Sequence, residues 1–168
     1  MTPRTVRCAD PRHPDNWSYF MRPMNETQTD LDREQEVAQA LQSLWKCKMR
    51  KLHGMTYPAD FGAFREGDSI WGVDDKLVAM VEVKWRKELY DPFYLALHKV
   101  HRMLAYSHHW DIPAMVVVGH PGGISWHRIT GGYEVYWGGN SRGQMGDKEP
   151  VVLIPRAEFQ QIEIRQAA

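Results

Sequence analysis

Two apolar runs of strand length stand out along the chain, Leu77-Val78-Ala79-Met80-Val81 and Ala114-Met115-Val116-Val117-Val118. Their length and β-branched content predict buried strands. The first is preceded by a turn signal, Asp74-Asp75-Lys76, and the second ends in the turn His120-Pro121-Gly122-Gly123. Upstream, Val37, Leu41 and Leu44 recur at helical spacing behind Thr29-Asp30-Leu31-Asp32, where Thr29 or Asp30 caps and acidic residues suit the first turn, predicting a helix to about Trp45. Lys46-Cys47-Lys48-Met49-Arg50-Lys51-Leu52 alternates basic with apolar residues, as a strand with one positively charged side does. Tyr57 to Phe64 is a further strand, closed by Glu66-Gly67-Asp68.

Beyond the first run, Asp91-Pro92 has the form of a helix start, with Phe93, Leu97, Val100 and Leu104 at helical spacing as far as Tyr106. Ile124 to Ile129 and Tyr133 to Trp137 suggest a hairpin around Thr130-Gly131-Gly132. A polar, glycine-rich loop from Gly138 to Lys148 carries Arg142, and Val151 to Ile154 with a short helix from Pro155 closes the chain. The resulting order is helix, three strands, helix, strands, a mixed α/β layer fold. It forms one domain over residues 29–168, preceded by an arm over residues 1–28 rich in Pro, Arg and Asn.

The first apolar run ends in Glu82-Val83-Lys84-Trp85-Arg86. Because side chains alternate across a strand, Glu82 and Lys84 share one face while Val81, Val83 and Trp85 enter the other. A carboxylate and an amine beside so apolar a run need an offset for their lost hydration. A divalent cation supplies one. Asp60 lies on the preceding strand and reaches Glu82 across the ladder if the two strands pair. On the first helix, at about 100° per residue, Glu34 shares the face of Val37 and Leu41 while Glu36 points away. Glu34 is therefore the helix acid expected to approach the ion. The competing reading of the set is a structural ion cluster, and of Glu34 a solvated helix residue.

Composition narrows the partners. The 168 residues hold 21 Lys and Arg against 21 Asp and Glu, so no global positive field announces a nucleic acid. Local patches remain: Lys46, Lys48, Arg50 and Lys51 on one strand, with Lys84, Arg86, Lys87 and Arg102, offer a phosphate-binding surface or, equally, a solvated edge that resists aggregation. Lys99 can approach the acids or a phosphate. Cys8 and Cys47 show neither metal spacing nor a disulfide framework, which suits a reducing compartment. No run is long enough to span a bilayer, and Met1-Thr2-Pro3-Arg4 opens no apolar leader, so the cytoplasm is the expected location, that of the host for a viral protein. His98, His101, His108, His109 and His120 lack the paired spacings of structural zinc.

The order of elements, with acids on the first helix and second strand and Glu82-Val83-Lys84 on the third, resembles the PD-(D/E)XK nuclease superfamily over about residues 30–130. It is similar to small phage and prokaryotic members in which Glu-x-Lys-x-Arg is followed by a Tyr-rich segment and a helix bearing a lysine, here Tyr90, Tyr94 and Lys99. One departure is that Pro58 stands two before Asp60 rather than directly before it. The resemblance implies a restriction-endonuclease-like core, a mixed central sheet flanked by helices in αβββαβ order. It implies an Mg²⁺-dependent DNA nuclease, with Mn²⁺ as substitute, hydrolysing phosphodiesters by metal-activated water and leaving a 5′-phosphate. Asp60, Glu82 and the Val83 carbonyl would ligate the ion, Lys84 would orient or deprotonate the water, and Glu34 would complete the catalytic set. Lys48, Arg50, Arg86 and Lys99 are the expected nucleic-acid contacts. Endonuclease or exonuclease action, DNA or RNA, and oligomeric state stay open. The alternatives are a nucleic-acid-binding or interaction protein of the same fold without turnover, and a zinc hydrolase built on the histidines.

Overall fold

The run at Leu77 forms the middle of the longest strand, and the rest of the sheet is laid beside it. The computed structural model describes residues 28–52, 58–66, 75–139 and 148–162. Helix α1 (Gln28–Trp45) is followed by β1 (Lys48–Lys51), β2 (Phe61–Glu66), β3 (Asp75–Trp85) and β4 (Phe93–Ala96). Helix α2 (Leu97–Trp110), β5 (Ala114–His120), β6 (Gly123–Arg128), β7 (Val135–Gly139), β8 (Lys148–Ile154), a 3₁₀ turn (Arg156–Glu158) and β9 (Gln160–Ile162) complete the order.

Six strands form a mixed sheet in the order β1-β2-β3-β5-β6-β9, with β3 and β5 parallel at its centre and antiparallel pairs outside them. Parallel neighbours need a long crossover, and α2 lies within it. β4, β8 and β7 make a second, antiparallel sheet. Strand alternation divides the interior in two. Ala79, Val81 and Val83 with Met115 and Val117 pack under Val37, Ala38 and Leu41 of α1. Met80 with Ala114, Val116 and Val118 packs on the opposite side with Val100 and Met103 of α2 and with Phe93, Leu95, Val152 and Ile154 of the small sheet. The expected mixed α/β arrangement is present, with β4 inserted ahead of α2.

Several boundaries differ from expectation, each for a local reason. Asp91-Pro92 does not start a helix. Phe93–Ala96 is a strand that pairs Phe93 with Ile154, and α2 begins at Leu97 and runs to Trp110. The spacing of Phe93 and Leu97 mimics one helical turn, and the pairing partner that decides otherwise lies far down the chain. The proposed hairpin around Thr130 is also absent: β6 pairs with β5 and β9, whereas β7 joins β8 in the other sheet. Tyr133 closes the bend between them, its hydroxyl accepting from the Thr130 N–H at 2.8 Å and meeting His127 Nε2 at 2.8 Å. On α1, Leu44 is exposed and the buried stripe is Glu34, Val37, Ala38 and Leu41. Leu44 sits roughly 70° from the centre of that stripe, at its margin.

Strand β2 begins at Phe61 rather than Tyr57, and β3 extends back to Asp75, through the residues expected to turn. Of the arm expected over residues 1–28, Gln28 opens α1, and residues 1–27, with Cys8, lie outside the described residues, as does the loop residue Arg142.

One glycine lets α1 settle on the sheet. A Cβ at Gly119 of β5 would lie 2.3 Å from Cγ2 of Val37 and 3.0 Å from Trp85. Val37 is on a packed helix facing a central strand, so neither side yields easily. Gly119→Ala is therefore expected to destabilise the domain by about 1–3 kcal/mol, as overpacked cores do. Urea unfolding of the variant beside wild type reads this directly, and Gly131→Ala, where an added Cβ meets nothing within 4 Å, should leave stability within about 0.5 kcal/mol.

Candidate active site

Glu82 is fully buried, and its surroundings follow from where β2 stops. The β2–β3 ladder reaches Phe61↔Val81 and goes no further. Asp60, the next residue back, turns out of the ladder: its carbonyl accepts from Leu52 N–H at 2.8 Å, and its Oδ2 accepts from the Val83 N–H at 3.2 Å. A side chain thus replaces a backbone partner at the end of the sheet. Because a strand residue's N–H and C=O point to the same edge, the Val83 carbonyl faces the same opening as the Asp60 carboxylate.

Acids and lysines from both layers meet at this opening. Lys84 Nζ lies 2.8 Å from Glu82 Oε1, 3.4 Å from Asp60 Oδ2 and 3.7 Å from Glu34 Oε1. Lys99, in the first turn of α2, donates to Glu82 Oε1 and lies 3.7 Å from Asp60 Oδ1. Lys51, at the end of β1, is 3.3 Å from Glu34 Oε2 and stacks its ammonium over the Phe61 ring. Among the described residues the cluster therefore balances three carboxylates with three ammonium groups. That balance offsets the desolvation of Glu82 and of the nearly buried Glu34. One oxygen is left over: Oε2 of Glu82 is buried and has no hydrogen-bond partner.

Electrostatics follow the geometry. Burial penalises the charged form of Asp60, but the Lys84 and Lys99 ammonium groups outweigh it and hold the carboxyl below its ordinary value. Burial likewise opposes the charge on Lys84. The carboxylates of Glu82, Asp60 and Glu34 prevail and raise it well above the usual lysine range. With these neighbours Lys84 is an ammonium, a donor rather than a base. Among the described residues no set of three or more His, Cys, Asp and Glu side chains is gathered so as to hold a metal ion on its own. Lysine heads stand among the acids.

The structure brings Glu34, Asp60, Glu82 and Lys84 together, and Glu36 is exposed on the far side of α1. Arg86 follows directly after β3, its N–H bonded to the Gly119 carbonyl and its guanidinium to the Trp85 carbonyl at 2.8 Å. Lys48 and Arg50 are not at this site. Both are ion-paired to Asp75, which lies seven residues before Glu82, roughly 23 Å along β3. Lys99, expected at the acids or on a phosphate, is on Glu82 and Asp60. Lys51 was not singled out as a partner of an acid. The signal for it was charge balance, since three gathered acids require as many bases.

These ion pairs carry a stability consequence. Lys84→Met removes the one cation that touches all three acids, leaving buried charge partly uncompensated, and should cost about 3 kcal/mol in metal-free buffer. A change below about 1 kcal/mol in denaturant unfolding would mean that the cluster is held chiefly by Lys51 and Lys99.

Comparison with known proteins adds the following. A family model described as "Phage putative PDDEXK endonuclease" matches residues 20–162. Among solved structures, the chain is similar to Hjc, a Holliday junction resolvase from the archaeal hyperthermophile Archaeoglobus fulgidus, at 20% identity and a TM-score of 0.46, over 79% of this chain and 90% of that one. No curated protein matches the chain.

Proposed function

Because this chain belongs to the phage PDDEXK endonuclease family, we propose that it is a divalent-metal-dependent nuclease that hydrolyses phosphodiester bonds of DNA at the Glu34, Asp60, Glu82 and Lys84 cluster. The observation that carries this reading is the convergence of acids from three separate elements on Lys84, with a buried, partnerless oxygen left on Glu82. A structural ion cluster has no need of that spare oxygen. The donors are also of the right kind: carboxylate oxygens and a backbone carbonyl suit Mg²⁺ or Mn²⁺, which favour hard oxygen ligands.

Asp60, Glu82 and the Val83 carbonyl would hold the ion, and Glu34 would reach it directly or through water. When bound, such an ion polarises the phosphodiester and lowers the pKa of water, the two requirements of hydrolysis. The chain's own groups do the rest. Lys84, fixed on a rigid strand, donates toward the attacking water or the developing charge on the phosphate, and as an ammonium its contribution is electrostatic and orienting. Asp60, just ahead of β2, is itself positioned by the Val83 N–H of β3, which ties it to the strand that carries Glu82.

Labelled duplex, branched and single-stranded DNA and RNA, incubated with Mg²⁺, Mn²⁺ or EDTA, test the activity and its substrate. Asp60→Asn and Glu82→Gln are each expected to abolish cleavage while substrate binding survives, because each removes a charged ligand from a near-isosteric position. Full Mg²⁺-supported activity in either variant would remove that residue from the site. For Lys84→Ala, turnover should fall by about 10²-fold or more with a smaller change in substrate affinity. Loss of affinity alone would make it a phosphate contact.

The helix acid has its own test. Glu34→Gln should lower Mg²⁺-supported cleavage strongly, whereas Glu36→Gln, on the exposed face of α1, should leave it within about twofold. Equal losses in the two would mean that the acid acts through general surface charge.

A further inference from the structure

Lys99 occupies the place that the proposed function gives to a cation. Its ammonium touches Glu82 and lies 3.7 Å from Asp60 Oδ1, so it bridges the same two carboxylates that would bracket a divalent ion. We infer that Lys99 is an exchangeable counter-ion of this centre, holding Glu82 and Asp60 when metal is absent and leaving them to pair with a phosphate of the nucleic acid when metal is bound. This inference rests on the metal-site reading above.

Charge arithmetic requires some group to yield. Among the described residues three carboxylates and three ammonium groups balance, and a divalent ion added to them without any release would add two positive charges to a half-buried cluster. Geometry selects Lys99 as the group that yields. Lys84 is held by three acids, projects from a central strand and is 19% exposed. Among the described acids Lys51 is ion-paired with Glu34, and it pairs with neither Asp60 nor Glu82. Among the described residues Lys99 is ion-paired with the two proposed ligands, is 30% exposed, and stands in the first turn of α2 on a flexible four-carbon stem. Its head can leave the carboxylates without moving backbone. A phosphate arriving at the same opening is the natural acceptor for it.

The test measures metal binding rather than activity. Mn²⁺ affinity is determined by calorimetry on the full chain without nucleic acid, for wild type, Lys99→Met and Lys99→Arg. With the competing charge removed, Lys99→Met should bind Mn²⁺ about tenfold tighter or more, since a unit like charge about 4 Å away is a strong competitor at protein dielectric. Lys99→Arg keeps the charge and should match wild type. The melting-temperature rise on adding Mn²⁺ should also be larger for Lys99→Met, whose metal-free form lacks one partner of Glu82. At saturating Mn²⁺ the same variant should bind DNA more weakly than wild type. Unchanged or weaker Mn²⁺ affinity in Lys99→Met overturns the inference, as does equally tight binding in Lys99→Arg. If Lys99→Met does not fold without metal, Lys99→Gln gives the same comparison. The double variant Asp60→Asn with Lys99→Met separates the two levels: loss of Mn²⁺ binding there upholds the metal site, whereas binding as tight as in Lys99→Met would remove Asp60 from it and overturn both readings.

Discussion

A carboxylate fully withdrawn from water must be matched in charge, and Glu82 imposes that condition on everything around it. Left unpaired, an ionised group in such a place would cost about 3–5 kcal/mol, a large part of a domain's net stability, or give up its charge. The match comes from two directions. Lys84 stands two residues along the same strand and on the same face, and Lys99 arrives from the helix packed over that face. Asp60, just ahead of β2, and Glu34 of α1 then keep Lys84 in register. The termination of β2 at Phe61, the close seating of α1 over Gly119 and the position where α2 begins are therefore parts of one electrostatic arrangement.

The small sheet serves this arrangement at a distance. Helix α2 has no side-chain cap at its N-terminus, where Ala96 precedes it. Its start is set instead by β4, whose four residues pair in full with β8, Ala96 against Val151. Phe93 and Leu95 of β4 and Val152 and Ile154 of β8 bury their side chains in the core shared with α2, and His98 contacts Glu149 across the junction at 3.3 Å. Lys99 is therefore carried on the first turn of a helix anchored by a strand, a rigid base for a side chain that must meet Glu82 within hydrogen-bonding range.

Much of the site was legible in the sequence because it depends on short-range periodicity. Period-two alternation placed Glu82 and Lys84 together and Val81 and Val83 opposite, and helical angle distinguished Glu34 from Glu36. Both rules act over a few residues and need no knowledge of partners. What escaped depends on pairing across long stretches. Phe93–Ala96 carries too few residues to declare its own period, and its identity as a strand comes from Val151–Ile154. Tyr133 to Trp137 looks like the return of a hairpin until β8 claims Val135–Gly139 for another sheet. Lys48 and Arg50 advertise a basic strand, yet Asp75, assigned from sequence to a turn, lies within the sheet and pairs with both, and with Glu66 beside Lys48 two acids neutralise the two bases.

That neutralisation changes where a nucleic acid can find positive charge. The chain as a whole carries none in excess, with 21 basic against 21 acidic residues, and the basic edge strand is committed to its own ion pairs. At the acid cluster the lysines are likewise spent on carboxylates. Under the proposed function, a phosphodiester approaching the metal-free centre therefore meets a balanced site with little net attraction, and binding of a divalent ion is what turns it positive. Metal and phosphate then favour one another's binding, and by linkage the effect is reciprocal. On that proposal, the same balance that makes Glu82 tolerable in the folded chain would make the centre more attractive to a phosphodiester once it is loaded.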